Sequence, residues 1–518
     1  MDGDFKGDFT RDTFYPFRHF SRVLMQQGRV QLDADWNEQA DILTRYLRQL
    51  AVAIIGLHGG PEGEAGFAVS AKDASGKDAD KGEFFIGVGD YYIDGILVEN
   101  EDVDEDGNPP AYTYMHQPNY SQPAAIPGDN APFHLVYMDV WEEQITYLQN
   151  ALIREVALGE GRPDTATRVQ IVWQVKVLSE TAFSKDKTNL SGSVDQIRSA
   201  PAKNKPQVTS AQINDITQRL RELLQPGNRG WLKARAKVDE QDANDVCITP
   251  PDSQYRGDEN QLYRVEIHNG DIPRAPTQKE TIATFKWSRD NGSVVFPITS
   301  KPESDGKNTT VIIGNVGRDD RLTVAQGDWV EVVDEDYTLQ GLADPLLKVT
   351  KVDKTDPLNI VLTLEGVANY QVNMERYPIL RRWDQRARAA KKDGEPDLFD
   401  SKTGTIKIVE GTGEEKDEIK EHWITLEDGV QVQFQAAGEA KIPPSYRPGD
   451  YWLIPARTIT GDVEWPLLSV NPVQHKPLRP HGVEHHYAPL AIIDFAEGKV
   501  KDIIDLRYIF KSIAQPMS

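Results

Sequence analysis

The chain has 518 residues, 39% of them hydrophobic and 27% charged. That is enough apolar side chain to bury a core, so disorder throughout is excluded. Fifty-eight Lys and Arg stand against 81 Asp and Glu, a net charge of -23, and a surface this acidic repels phosphate backbones and disfavours nucleic acid as a general partner.

The N-terminus, MDGDFKGDFTRD, has neither a basic nor an apolar leader segment, so no secretory signal is expected. No apolar run approaches the ~18 residues of a membrane-spanning helix. The single cysteine, Cys247, rules out a disulfide framework and reads as a small buried hydrophobe.

Phe5, Phe9, Phe14, Tyr15, Phe17 and Phe20 crowd the first stretch with neither helical nor strand period. Such a segment reads as an irregular arm lying on another surface. Asp35 followed three residues later by Glu38 predicts a helix start. Trp36, Ala40, Leu43, Leu47, Leu50 and Ile54 then recur at spacings of 4, 3, 4, 3 and 4, and Gly56 ends the run. This heptad-type stripe suits either an amphipathic helix on its own domain or a helix packed on a neighbouring subunit. Phe14, Phe17, Phe20, Trp36, Leu43, Leu47, Leu50 and Ile54 are the candidate interface residues. Residues 1–58 are expected to be a docking arm and helix, separable from a β core.

Residues 59–82, rich in Gly, Ala, Asp and Lys, read as a loop or linker. Phe84 to Val98 predicts a hairpin, with Gly87, Gly89 and Asp94-Gly95 as turn or bulge signals. Leu135 to Trp141 predicts a buried strand, and Arg168 to Leu178 alternates cleanly between faces. Residues 180–207 read as a polar loop. Ile213, Ile216, Leu220 and Leu223 stripe a second helix from about Ser210 to Leu224, stopped by Pro226-Gly227.

Beyond it, strands are predicted at Tyr263 to His268, Ala283 to Trp287 and Ser293 to Ile298. The last two are joined by an Asp290-Asn291-Gly292 turn. Further strands are expected at 311–313, 329–333 and 360–364, then a charge-rich loop over 384–422. A hairpin around Asp428-Gly429 and strands at 451–456 and 488–495 complete the chain. The fold class is mainly β with two principal helices, several small antiparallel sandwich or barrel-like domains, and an N-terminal arm plus helix. The expected units are 1–58, a β domain at 83–180, a helix and connector at 206–245, a β domain at 246–380 and a C-terminal β domain at 420–518.

Catalytic signatures are absent: there is no G-x-S-x-G, Walker A loop or complete G-x-G-x-x-G. Asp33, Asp35 and Asn37 open like a calcium loop, but Glu38 and Thr44 stand where Gly and a bidentate Glu are needed. His481, Glu484 and His485 match H-x-x-E-H in letters, which makes them weak metal candidates. Pro480, Gly482 and Pro489 argue against the helix that motif needs. Trp141, Trp173, Trp287 and Trp452 sit in strand patterns and read as core. No cofactor is expected, and the chain reads as a non-enzyme.

The opening GDFTRDTFYPFRHFSRVLMQQGRVQLDADWNEQ resembles an uncharacterised domain family associated with phage-tail-like contractile injection systems. So do YYIDGILVEN (91–100), DVWEEQITYL (139–148), PDTATRVQIVWQVKV (163–177), YRGDENQLYRVEIHNG (255–270), ATFKWSRDNGS (283–293), GDYWLIPART (449–458) and HGVEHHYAPLA (481–491). The resemblance implies a structural or adaptor subunit near the baseplate or tip, made in the cytoplasm and built into the particle. Its implied partners are other particle subunits and further copies of itself, with no integral membrane segment. A glycan-binding or glycan-cleaving spike is the alternative, and an exposed row of tryptophans would favour it.

Overall fold

The computed structural model describes residues 3–511 except 74, 102–111, 128–132, 160–163, 184–188, 199–207, 226–228, 238–254, 271–281, 316, 318–320, 387–397, 412–421, 436–444 and 471–472. Cys247 and the Pro226-Gly227 stop lie outside the described residues. The fold is mainly β, in several separate and largely antiparallel sheets, none of them a closed barrel. Its α-helices are α1 (Asp33–Ile55), α2 (Glu180–Phe183), α3 (Leu190–Arg198), α4 (Ser210–Leu224) and α5 (Glu335–Leu339).

The strand Phe133–Ile145 is the centre of the first half. It pairs antiparallel with Arg168–Ser179 on one side and with His486–Ala496 on the other. Its first nine residues are all buried because both faces are covered. On one face Val136, Met138 and Val140 meet Phe67, Tyr91, Val98 and Trp173. On the other, Leu135 and Tyr137 meet Leu190 and Val194 of α3 and Ile216 and Leu220 of α4. A strand buried on both sides is mostly apolar; His134 and Asp139 interrupt the run here, and the Asp139 carboxylate is met by Lys176 and His485.

The region expected as a polar loop, 180–207, therefore contains α2 and α3. The 4-and-3 spacing of Leu190, Val194 and Ile197 drives α3 onto the sheet, a stripe that its serines and glycine obscure in the sequence.

Residues 59–82 are also not a plain linker. His58–Pro61 is a strand that pairs with Gly89–Ile93 and, in parallel, with Ile509–Phe510. A Cβ on Gly60 would sit 2.6 Å from that of Ala65, so glycine here serves close approach. The hairpin Gly89–Ile93 and Ile96–Asn100 turns at Asp94-Gly95, where both φ angles are positive (49° and 81°), as expected.

A six-stranded sheet runs in the order 399–400, 405–407, 284–288, 261–269, 451–457, 462–463. Its core is shared with the sheet formed by Trp231–Ala236 and Val430–Gln435. A seven-stranded sheet with a separate core contains 295–297, 379–383, 329–333, 347–353, 360–365, 308–313 and 303–304.

The predicted turn at Asp290-Asn291-Gly292 forms, with positive φ at Asn291 and Gly292, but the strands on either side of it do not pair. Thr284–Ser288 and Val295–Pro297 belong to different sheets, and the turn hands the chain from one to the other. Local turn chemistry fixes the reversal but not which sheet receives the next strand. The strands of 420–518 pair with 133–145, 231–236, 261–269 and 58–61, and Leu467–Val470 pairs with Val473–His475, so the end of the chain is spread over five sheets.

Candidate functional site

The N-terminal arm has two parts with opposite surroundings. Residues 3–13 are built into the chain's own body. The Tyr451 hydroxyl donates to the Gly3 carbonyl (2.9 Å), and Asn291 Nδ2 donates to the carbonyls of Phe5 and Gly7 (3.1 Å each). The Lys6 amide donates to Gln144 Oε1 (2.6 Å).

The centre of this anchor is Arg264, fully buried, with its guanidinium 3.5 Å from the Tyr451 ring centroid. It donates from Nε to Glu266 (2.6 Å), from Nη1 to the Phe5 carbonyl (3.3 Å), and pairs with Asp4. Lys286 joins Glu266 (3.3 Å) to Glu331 (2.7 Å), and Trp383 Nε1 donates to Glu331 (3.1 Å). Burial pushes the Glu266 carboxyl up, but Lys6, Arg264 and Lys286 outweigh it and hold it well below the usual range.

Sequence reasoning missed this network. Arg264, Glu266 and His268 alternate with Tyr263, Val265 and Ile267, a pattern that ordinarily marks a solvated face. The arm covers that face. The available signal was opposite charge on strands that become neighbours: Lys286 lies opposite Glu266 in the register.

From Tyr15 onward the arm faces outward. Phe17 is 74% exposed, Leu24 69% and Val30 84%, and Phe20 and Met25 are also exposed. Phe14 is the one candidate phenylalanine that is not exposed; it and the edge of Phe20 line a small recess with Ile42 and Arg45 of α1. The arm runs along the helix, with Thr13 Oγ1 donating to Glu38 (2.7 Å) and the Val23 amide to Gln39 Oε1 (2.8 Å). The helix cap lies three residues earlier than predicted, at Leu32: Asp35 reaches back to accept from the Leu32 amide (3.2 Å), leaving Glu38 for Thr13.

Helix α1 is turned the wrong way round for a free surface helix. All six stripe residues, Trp36, Ala40, Leu43, Leu47, Leu50 and Ile54, are exposed. Glu38, Asp41, Arg45 and Arg48 are half-buried against the body, and Arg48 pairs with Glu142 (2.7 Å). Between Trp36 and Ile54 no exposed residue carries charge. Surface helices bury the apolar stripe and solvate the charges; here that order is reversed.

The histidine segment forms no convergent site. Residues 481–485 are not helical, and Gly482 has φ 148°. His485 Nδ1 lies 2.7 Å from Asp139, His486 Nδ1 lies 2.8 Å from Asp94, and His481 rests on Tyr451. Burial pushes Asp139 up, yet His485 and Lys176 hold it down at about 2. These pairs tie the strand His486–Ala496 to its neighbours. Among the described residues no group of three His, Cys, Asp or Glu is placed to hold a metal ion. Asp33, from the calcium-like start, accepts from the Thr10 amide instead (2.8 Å). Trp141, Trp173, Trp287 and Trp452 are all buried.

The family of unknown function DUF6519 matches residues 5–229 and 219–509. The chain belongs to this family. No curated protein sequence matches it. Among solved structures, one titled "Crystal structure of TssK" is similar at 10% identity, covering 70% of this chain and 96% of that one, with a TM-score of 0.15. Overlap at that level assigns no shared fold. Among the described residues of this DUF6519 member, no helix is long and apolar enough to cross a membrane.

Proposed function

We propose that this DUF6519 chain is a structural or adaptor subunit of a phage-tail-like contractile injection particle, near its baseplate or tip. It joins its neighbours through the outward face of α1 and arm residues 15–32. The single observation that carries the reading is the reversed helix, whose apolar stripe faces out while its charges face in. An exposed apolar face of this length marks a surface that is covered in the working protein. The sequence stretches that resemble the injection-system family supply the setting. No catalytic role is assigned. The burial of Trp141, Trp173, Trp287 and Trp452 counts against the glycan alternative, which needs an exposed row of tryptophans.

The test is incorporation into the particle. Leu43→Glu with Leu50→Glu places two charges on side chains already 53% and 58% exposed, so the folded chain should melt at the parent temperature. When expressed with the neighbouring sheath, tube and baseplate genes, the variant should be lost from purified particles. Parent-level incorporation of a folded variant would overturn the proposal.

A further inference from the structure

We infer that the occupant of this face is a second copy of the same chain, with α1 packed on α1 and the outward arm crossing onto the neighbouring copy. The inference rests on the docking reading above and adds the identity of the partner.

Three observations carry it. The first is the register of the stripe. Trp36, Leu43 and Leu50 fall on one heptad position, and Ala40, Leu47 and Ile54 on the other. Two copies of such a seam interlock knob into hole. In an ordinary coiled coil the three outer positions of the heptad face water. Here they carry Glu38, Asp41, Ile42, Arg45 and Arg48, which lie against the chain's own body with Gln49 the exposed exception, so the seam and its flanks make up nearly all of the helix left to meet a partner.

The second is charge. The positions flanking the seam are Asn37, Gln39, Thr44, Tyr46, Ala51 and Ala53. Charged residues there would select an unlike partner or repel a like one. With none present, two molecules of net charge -23 can approach along α1 without direct repulsion. The outward arm adds attraction: residues 14–32 contain Arg18, Arg22 and Arg29 and no Asp or Glu. A basic, apolar and exposed ribbon finds complementary charge on an acidic surface, and a second copy of this chain supplies one.

The third is area. Trp36, Leu43, Tyr46, Leu47, Leu50 and Ile54 are 46–67% exposed. At about 100 Å² each, the helix offers on the order of 600 Å². Phe17, Phe20, Leu24, Met25 and Val30 carry the total past the ~800 Å² per partner of a stable interface.

The experiment is sedimentation equilibrium on the purified full chain, alone, at micromolar concentration. The parent should sediment at a multiple of 58.1 kDa. Leu47→Glu with Leu50→Glu should return it to 58.1 kDa, with unchanged melting as the control for folding. Reversing Arg18, Arg22 and Arg29 to Glu should weaken assembly by roughly tenfold or more at low salt, and raising the salt should shrink that difference. A parent that stays at 58.1 kDa overturns the inference, as does a parent whose assembly survives the Leu47 and Leu50 changes. If the parent is monomeric and the Leu43 and Leu50 variant still fails to enter particles, the face serves an unlike subunit and the docking reading stands. If that variant enters particles normally, the docking reading falls as well.

Discussion

Replacing Arg264 with methionine should cost about 3–5 kcal/mol and release the N-terminal arm. The side chain is fully buried and holds Asp4, Glu266, the Phe5 carbonyl and Asn291 together. Removing one partner of a buried ion network leaves the others desolvated and under-compensated, which is more damaging than replacing the whole network with apolar groups. Lys6 and Lys286 still face Glu266, so the loss belongs in that range and not above it. Arg264→Lys keeps the charge but not the fork that reaches four acceptors, so it should fall between parent and methionine variant. Thermal melting gives the size of the effect, and hydrogen exchange over residues 3–13 gives its location. A methionine variant with parent melting and a still-protected arm would show that the network is dispensable.

The second large effect is a pH dependence at Glu143. Burial pushes its carboxyl up, Asp4 pushes it further, Lys6 opposes, and Glu335 of α5 adds to the rise, bringing it to about 7 from an ordinary 4.5. A raised carboxyl means that the folded chain holds a proton the unfolded chain has lost. The stability it contributes is complete below pH 4.5 and is lost as pH rises to about 7. The whole interval corresponds to ~3 kcal/mol at about 1.4 kcal/mol per pH unit. Glu143 is half-buried, so screening reduces the expected effect to about 2 kcal/mol.

Glu143→Gln keeps the shape and removes the charge. It should match the parent at pH 4.5 and melt a few degrees higher at pH 8. His58 and His268, each held down to about 4 chiefly by burial, act with the opposite sign between about 4 and 6.5. Asp290, raised to about 6 by burial and by Asp384, acts with the same sign as Glu143. All three are common to both proteins and cancel in the difference. A gap between variant and parent that does not change with pH would refute the assignment.

The helix stripe, its glycine stop, the strand at 168–178 and the two aspartyl-glycine hairpins were legible in the sequence because each rests on local spacing. The faces of that strand were not: it is exposed on both sides over 168–171 and buried on both over 172–175, so Val169 and Ile171 face out and Gln174 is covered. What could not be read was decided at long range. Arg264 and Glu266 occupy a strand face that becomes interior because residues 3–7 and the Glu331 and Trp383 side chains of the seven-stranded sheet lie over it. The stripe of α1 gave the apolar face but not its direction; that follows from Arg48 meeting Glu142 and from the arm lying beside Glu38 and Gln39. Glycines at 59 and 60 look like linker, and only the closeness of Tyr508, Ala65 and Tyr91 shows why no larger residue fits.

The pairing of Phe133–Ile145 with His486–Ala496 also sets a clock on biosynthesis. The bond between Asp139 and His485 spans 346 positions, and at roughly 5–20 residues per second a ribosome takes on the order of 20–70 s to cover that distance. Throughout that interval one edge of a strand destined for burial on both faces has no partner. Folding dominated by such distant pairings is slow and leaves sticky edges open. The newborn chain therefore has to be shielded over residues 133–145 until its last strands emerge, long after the outward helix has left the ribosome.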